Sequence, residues 1–150
     1  MKTLAHPENA AEIRTRLFSL TPSNVPQWGI MTVHQMVCHV RQAYVYALAD
    51  TPVDFIPLPY PPAVVKQFAL KLPAPWPHST TTIPQLALDA PGMACTTFEQ
   101  DHATLLTAFD GFCALTNHTR DHPFFGSMEH ADWMRWGYLH ADHHLRQFNR

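Results

Sequence analysis

The chain has 150 residues, 46 % of them hydrophobic and 15 % charged, with a formal net charge of -2. That is the size of one domain with enough apolar material to bury its own core, which excludes a disordered chain. The near-neutral balance, with no basic run and no Cys/His finger spacing, leaves no support for a nucleic-acid partner held through its phosphates.

Four segments carry helix signals along one domain spanning residues 1–150, with no internal repeat and no convincing alternating strand. The first runs from about Pro7, a proline suited to a first helical turn, to about Leu20, with Ile13, Leu17 and Leu20 spaced for one buried face. The second opens at Thr32, where Thr32 and Gln35 form a capping box and Met31 and Met36 a hydrophobic staple, and runs to about Ala49. A stretch from Asp50 to Gly92 then holds ten of the fourteen prolines, and only Ala63 to Leu72 reads as a short helix within it. A connection this long predicts a crossover between helices that roofs a site. The third main helix starts at Thr96 with a capping box to Glu99, and its Phe98, His102, Leu105, Phe109 and Phe112 alternate in steps of four and three, as at a bundle seam. Residues Thr116 to Ser127 form a linker. The fourth main helix occupies Glu129 to Phe148, with Glu129 and Asp132 near its positive end.

The first eight residues are polar and reach Pro7 and Glu8 before any signal core, and no apolar stretch is long enough to span a membrane. Cys38, Cys95 and Cys113 are odd in number and lack a C-x-x-C pair, which predicts reduced, mostly buried thiols. Both features predict a cytoplasmic protein with no membrane partner.

Eleven histidines stand out in so weakly charged a chain. On the last helix Trp133, Met134, Gly137, Tyr138, Ala141 and Leu145 cover one side, with Arg135, Asp142 and Arg146 on the opposite, solvated side. His140 and His144 fall on the inward side one turn apart, close enough for both imidazoles to reach one ion, while His143 lies at the border with the polar arc. An H-x-x-x-H pair needs a third ligand. On the second helix His34 and His39 are five residues apart and cannot share a face. His39, with Met36, Ala43 and Tyr46 around it, is either that ligand or a core histidine bonded to a carbonyl; His34, beside Arg41, reads as a surface residue. His102 is either a fourth ligand or acid–base group, or a seam histidine capped by a buried hydrogen bond. Trp28, Trp133 and Trp136 read as core or pocket wall.

The segments Trp28 to Val40, WGIMTVHQMVCHV, and His122 to Phe148, HPFFGSMEHADWMRWGYLHADHHLRQF, resemble the DinB/YfiT-like superfamily of helical metalloproteins, in particular an uncharacterised branch of it. The resemblance implies an all-α four-helix bundle of up-down-down-up topology, with one histidine of the second helix and an H-x-x-x-H of the fourth binding a divalent metal. The family's final H-x-x-Q falls on His144-Leu145-Arg146-Gln147, which sets the other ligands at His140 and His39. His102, Gln147, Trp133 and Trp136 then become candidates for the surrounding pocket.

Three imidazoles leave an ion its full charge and an open position, which suits catalysis. Zinc or nickel leads, with iron or manganese as alternatives, since imidazole suits several metals. The superfamily's thiol-dependent members imply a metal-dependent transferase acting on a small-molecule substrate with a low-molecular-weight thiol. The alternatives are a hydrolase using metal-bound hydroxide, and a non-catalytic stress-response module with a structural metal. Whether the chain is an enzyme stays open at this level, as does a homodimer; no side chain is assigned as catalytic.

Overall fold

The computed structural model describes residues 1–78, 82–90 and 93–150. Five α-helices dominate them: α1 (Pro7–Phe18), α2 (Val33–Leu48), α3 (Pro62–Lys71), α4 (Phe98–Cys113) and α5 (His130–Gln147), with a 3-10 turn at Pro84–Leu86. The end of the proline-rich stretch, Pro91 and Gly92, lies outside the described residues.

Local chemistry sets most of the helix starts. Pro7 opens α1, and Ile13 and Leu17 bury its inner face. The capping box at α2 is complete: the Gln35 amide donates to Thr32 Oγ1 at 3.2 Å and the Thr32 amide to Gln35 Oε1 at 2.9 Å. The expected box at Thr96 is displaced. Thr97 caps α4 instead, accepting from the Gln100 amide, because the Thr96 amide is taken by the buried carboxylate of Asp101 at 2.7 Å. That contact fixes the chain in a non-helical turn one residue longer than the sequence pattern implied.

Residues 116–127 are not a plain linker. Two strands, β1 (Arg120–His122) and β2 (Gly126–Met128), pair antiparallel with His122 opposite Gly126. Three residues are too few for alternation to register as a strand signal, and Gly126 closes the hairpin at φ 65°.

Packing follows the apolar stripes. Helix α2 lies against α4, α5 packs on both α1 and α2, and α3 covers part of α5 and β2. Trp133, Phe109, Phe112, Tyr44 and Met134 are almost completely buried at the centre, each contributing about 1.5 to 3 kcal/mol by leaving water. At Gly137 the packing is closest, since a Cβ there would lie 2.5 Å from Phe112 Cε1. The Tyr44 hydroxyl donates to the Gly137 carbonyl at 3.0 Å and ties α2 to α5.

Arg135 departs from the expected solvated side of α5. It is buried under the crossover, donating to the Leu70 carbonyl at 3.0 Å and to the Lys2 carbonyl. Asp142 and Arg146 are half-buried, because Arg16 of α1 reaches across to Asp142 at 2.8 Å.

The cysteines also differ from expectation. Cys38 and Cys95 form a disulfide across 57 residues, and Cys113 alone stays free, its thiol pushed up to about 12 by burial and the nearby Asp110 carboxylate. Packing of α2 against α4 creates this pairing, which no local spacing signals. It withdraws the support that cysteine spacing lent to a reducing compartment. No helix among the described residues is long and apolar enough to cross a membrane.

Candidate metal centre

His39 comes from the middle of α2, and His140 and His144 come from the last two turns of α5. The three imidazoles meet in the interior, all less than a tenth exposed, with one donor atom from each lying within 4.8 Å of the others. His39 Nε2 and His140 Nε2 are 3.3 Å apart, the separation of about 3.3 Å that two imidazole ligands of one tetrahedral ion would have.

The outer nitrogens of two rings are held. His39 Nδ1 donates to the Leu86 carbonyl at 3.0 Å, so the 3-10 turn of the crossover fixes its tautomer and leaves Nε2 as a lone pair facing inward. His144 Nδ1 donates to Gln147 Oε1 at 3.1 Å, with the same consequence. Gln147 is in turn held by donating through Nε2 to the Trp28 carbonyl at 2.8 Å. That approach requires Gly29: its φ is 78°, and a Cβ there would come within 2.6 Å of Gln147 Nε2. The W-G pair ahead of α2 and the Q near the end of α5 thus form one support for the His144 ring. His140 is the exception, because its Nδ1 is buried without a partner among the described residues.

Burial pushes the imidazole pKa values down at all three positions, well below the usual value for His140 and His144. For His140 the neighbouring His144 and His39 add to the effect, and for His144 the neighbouring His39 and His143 do so. The rings are therefore neutral at physiological pH, the state a metal needs. Among the described residues no carboxylate joins the cluster. Three neutral, buried donors with two outer nitrogens anchored fit a borderline divalent cation such as zinc or nickel better than a hard cation, which wants oxygen.

Aromatic rings surround the donors. Trp136 stacks on His140 with 5.0 Å between centroids and 7° between planes. Trp76, from the proline-rich crossover, lies 6.2 Å from both His140 and His143, anchored by its own indole N–H donating to the Ala69 carbonyl. Trp28 lies between a stacked His78 at 3.9 Å and the edge of His143 at 6.2 Å.

The other sequence candidates fall elsewhere. His102 donates to the Leu17 carbonyl at 2.8 Å and stacks on Phe98, so it is a seam histidine with a satisfied hydrogen bond and does not reach the cluster. Trp133 is core: its indole donates to the Arg120 carbonyl and its ring packs on Trp136. His34 is not a bare surface residue, since it donates through Nε2 to the Asp101 carboxylate at 2.8 Å. His143, assigned by periodicity to the polar border, is buried 5.1 Å from the His144 ring, with its Nδ1 unpartnered among the described residues and its pKa lowered by burial. Trp76, His78 and Leu86 were invisible as site residues, because they come from a crossover with no periodic pattern. For His143 the only available signal was adjacency to His144.

The family described as a protein of unknown function, DUF1569, matches residues 6–150, and the chain belongs to it. No curated protein and no solved structure matches the chain.

Proposed function

We propose that this DUF1569 member is a metal-dependent enzyme of the transferase class, holding one divalent ion, zinc or nickel first, through His39, His140 and His144. The observation that carries this is the convergence of inward-facing His39 Nε2 and His140 Nε2 at 3.3 Å, with the opposite nitrogens of His39 and His144 bonded to Leu86 and Gln147. In the metal-free protein His140 Nε2–H donates to the lone pair of His39 Nε2, and a cation between the two nitrogens would take the place of that proton. An ion held there would supply Lewis acidity and bring a thiol or water proton within reach of neutral pH.

The chain's own residues supply the rest. Trp76 and Trp136 lie against His140 and Trp28 against His143, and their rings would give a small substrate apolar faces to pack on. Anchoring by Leu86 and Gln147 keeps two rings aimed without reorganisation, which is what preorganised catalysis requires. The resemblance to DinB/YfiT-like proteins supports a low-molecular-weight thiol as co-substrate. It also supports assigning α1, α2, α4 and α5 to an up-down-down-up four-helix bundle.

The test uses cobalt-substituted protein carrying Cys38→Ser and Cys95→Ser, so that an added thiol has no disulfide to open. Glutathione, bacillithiol or mycothiol should change the visible absorption of the cobalt; an unchanged spectrum with all three overturns the thiol reading. A second reading, hydrolysis, is favoured by one observation: the buried Nδ1 of His143, without a partner among the described residues, lies beside the cluster where it could accept a hydrogen bond from an attacking water. It requires turnover of an ester or amide panel by the zinc-loaded protein without thiol, and no turnover removes it.

A further inference from the structure

The opposite face of α2 carries a second set of donors. His34 and Cys38 stand at i and i+4, so both side chains rise from the same face one turn apart. Cys95 lies just ahead of α4, and Asp101 projects from the first turn of that helix. One donor atom from each of the four residues lies within 4.8 Å of the others. Cys38 and Asp101 are buried, His34 is half-buried and Cys95 is exposed, so the group is walled on one side and open to solvent on the other.

We propose that, when the Cys38–Cys95 disulfide is reduced, these four residues form a zinc site, separate from the three-histidine cluster and independent of the function assigned to that cluster. Two thiolates, one imidazole and one carboxylate make a four-coordinate donor set suited to zinc, with ligand atoms of a tetrahedral ion about 3.3 to 3.8 Å apart. The widest donor separations, up to 4.8 Å, have to close by about an ångström, while the two sulfurs and the 2.8 Å His34–Asp101 pair open into the same range.

The hydrogen bonds around Asp101 divide in a way that suits this change. Its Oδ1 is bonded to Arg41 Nη1 and can stay so. Its Oδ2 receives His34 Nε2 at 2.8 Å and the Thr96 amide at 2.7 Å. A cation between His34 Nε2 and Oδ2 replaces their mutual hydrogen bond and keeps both groups partnered, while Arg41 and the amide continue to orient the carboxylate. The two ends joined are the same ones the disulfide joins, α2 and the segment leading into α4, so one covalent clasp is exchanged for a coordinate one.

The reductant is a phosphine in the test. The S–S bond breaks, two thiols form, and the phosphine becomes its oxide by taking oxygen from water. Zinc then displaces the two thiol protons to buffer, and His34 loses its Nε2 proton to solvent while Nδ1 takes one up, which frees Nε2 to coordinate.

The experiment measures zinc per chain on tag-free protein, oxidised or reduced with a phosphine that is removed before metal is added, and records the absorption of the cobalt form. Any ion at the three-histidine cluster contributes equally to both states, so the difference reads the proposed site alone. The reduced protein should bind one ion more than the oxidised protein, and its cobalt form should gain thiolate-to-cobalt charge-transfer absorption. Both gains should vanish in Cys95→Ser, an exposed position whose substitution leaves the core intact, and persist in His140→Ala. Equal metal content in the two states of the wild type, or a gain that survives in Cys95→Ser, overturns the proposal.

Discussion

The two faces of α2 use the same residue type to opposite electrostatic ends. Around His39 the partners are two further imidazoles and backbone or amide oxygens, all neutral, and burial holds the rings uncharged. Around His34 the partner is a carboxylate, itself paired with Arg41. Burial raises the Asp101 pKa, but hydrogen bonds from His34 and Thr96 and the Arg41 charge outweigh it and hold that carboxylate below its usual range. A histidine that gathers other histidines in the buried interior presents a neutral lone pair of the kind a cation could use, whereas the one on the other face has an anionic partner beside it.

Removing one histidine from each face tests this contrast most severely. In the oxidised, disulfide-bonded protein, His144→Ala should reduce bound zinc from one per chain to background, whereas His34→Ala should leave it unchanged; metal analysis of tag-free protein decides. Loss in both variants, or in neither, would erase the distinction between the faces.

A smaller effect is expected from Gln147→Ala, which leaves the ligand in place and removes what aims it. Zinc affinity, measured by competition with a chelating dye, should fall about 10- to 100-fold, the usual consequence of losing such a support. Unaltered affinity would mean that the His144 ring is positioned by packing alone.

The mildest difference lies in the acid response of metal-free protein. His39, His140, His143 and His144 have lowered pKa values, so below the ordinary 6.5 the unfolded chain binds protons that the folded chain refuses. Their contribution to stability is present above that value and is lost as pH falls toward their folded values. His122, pushed down to about 3 by burial and then by Arg120, acts in the same direction. Asp101, Asp110 and Asp132 are lowered carboxylates, whose contribution is present above the ordinary 3.8 and is lost only in stronger acid. Chelator-treated protein should therefore show a thermal midpoint that declines from about pH 6.5 down to about pH 4.5, before the carboxylates titrate, and bound zinc should oppose the decline by favouring the neutral rings. A flat midpoint across that interval would show that the buried imidazoles are not the titrating groups.

Periodicity and capping made much of the frame legible. Thr32 with Gln35, Pro7, and the apolar stripes of α1, α2, α4 and α5 are local, and local chemistry leaves a local signature. The i, i+4 relation of His140 and His144 is equally local, which is why the wheel of α5 turned both inward. The same wheel misjudged Arg135 and His143, because what lies outside α5 at those positions is the crossover: Leu70 covers Arg135, and Trp76 lies against His143.

By itself, the sequence determined where α1 and α2 start and which faces of the main helices are apolar, since those depend on neighbours within a turn or so. Only the tertiary structure decided that His39 would meet His140 across 101 residues, that Leu86 and Gln147 would fix the rings, and that Cys38 would join Cys95. Such meetings depend on how α2 lies against α4 and α5, a matter of shape filling among buried side chains, which leaves no mark on the spacing of the residues that end up in contact.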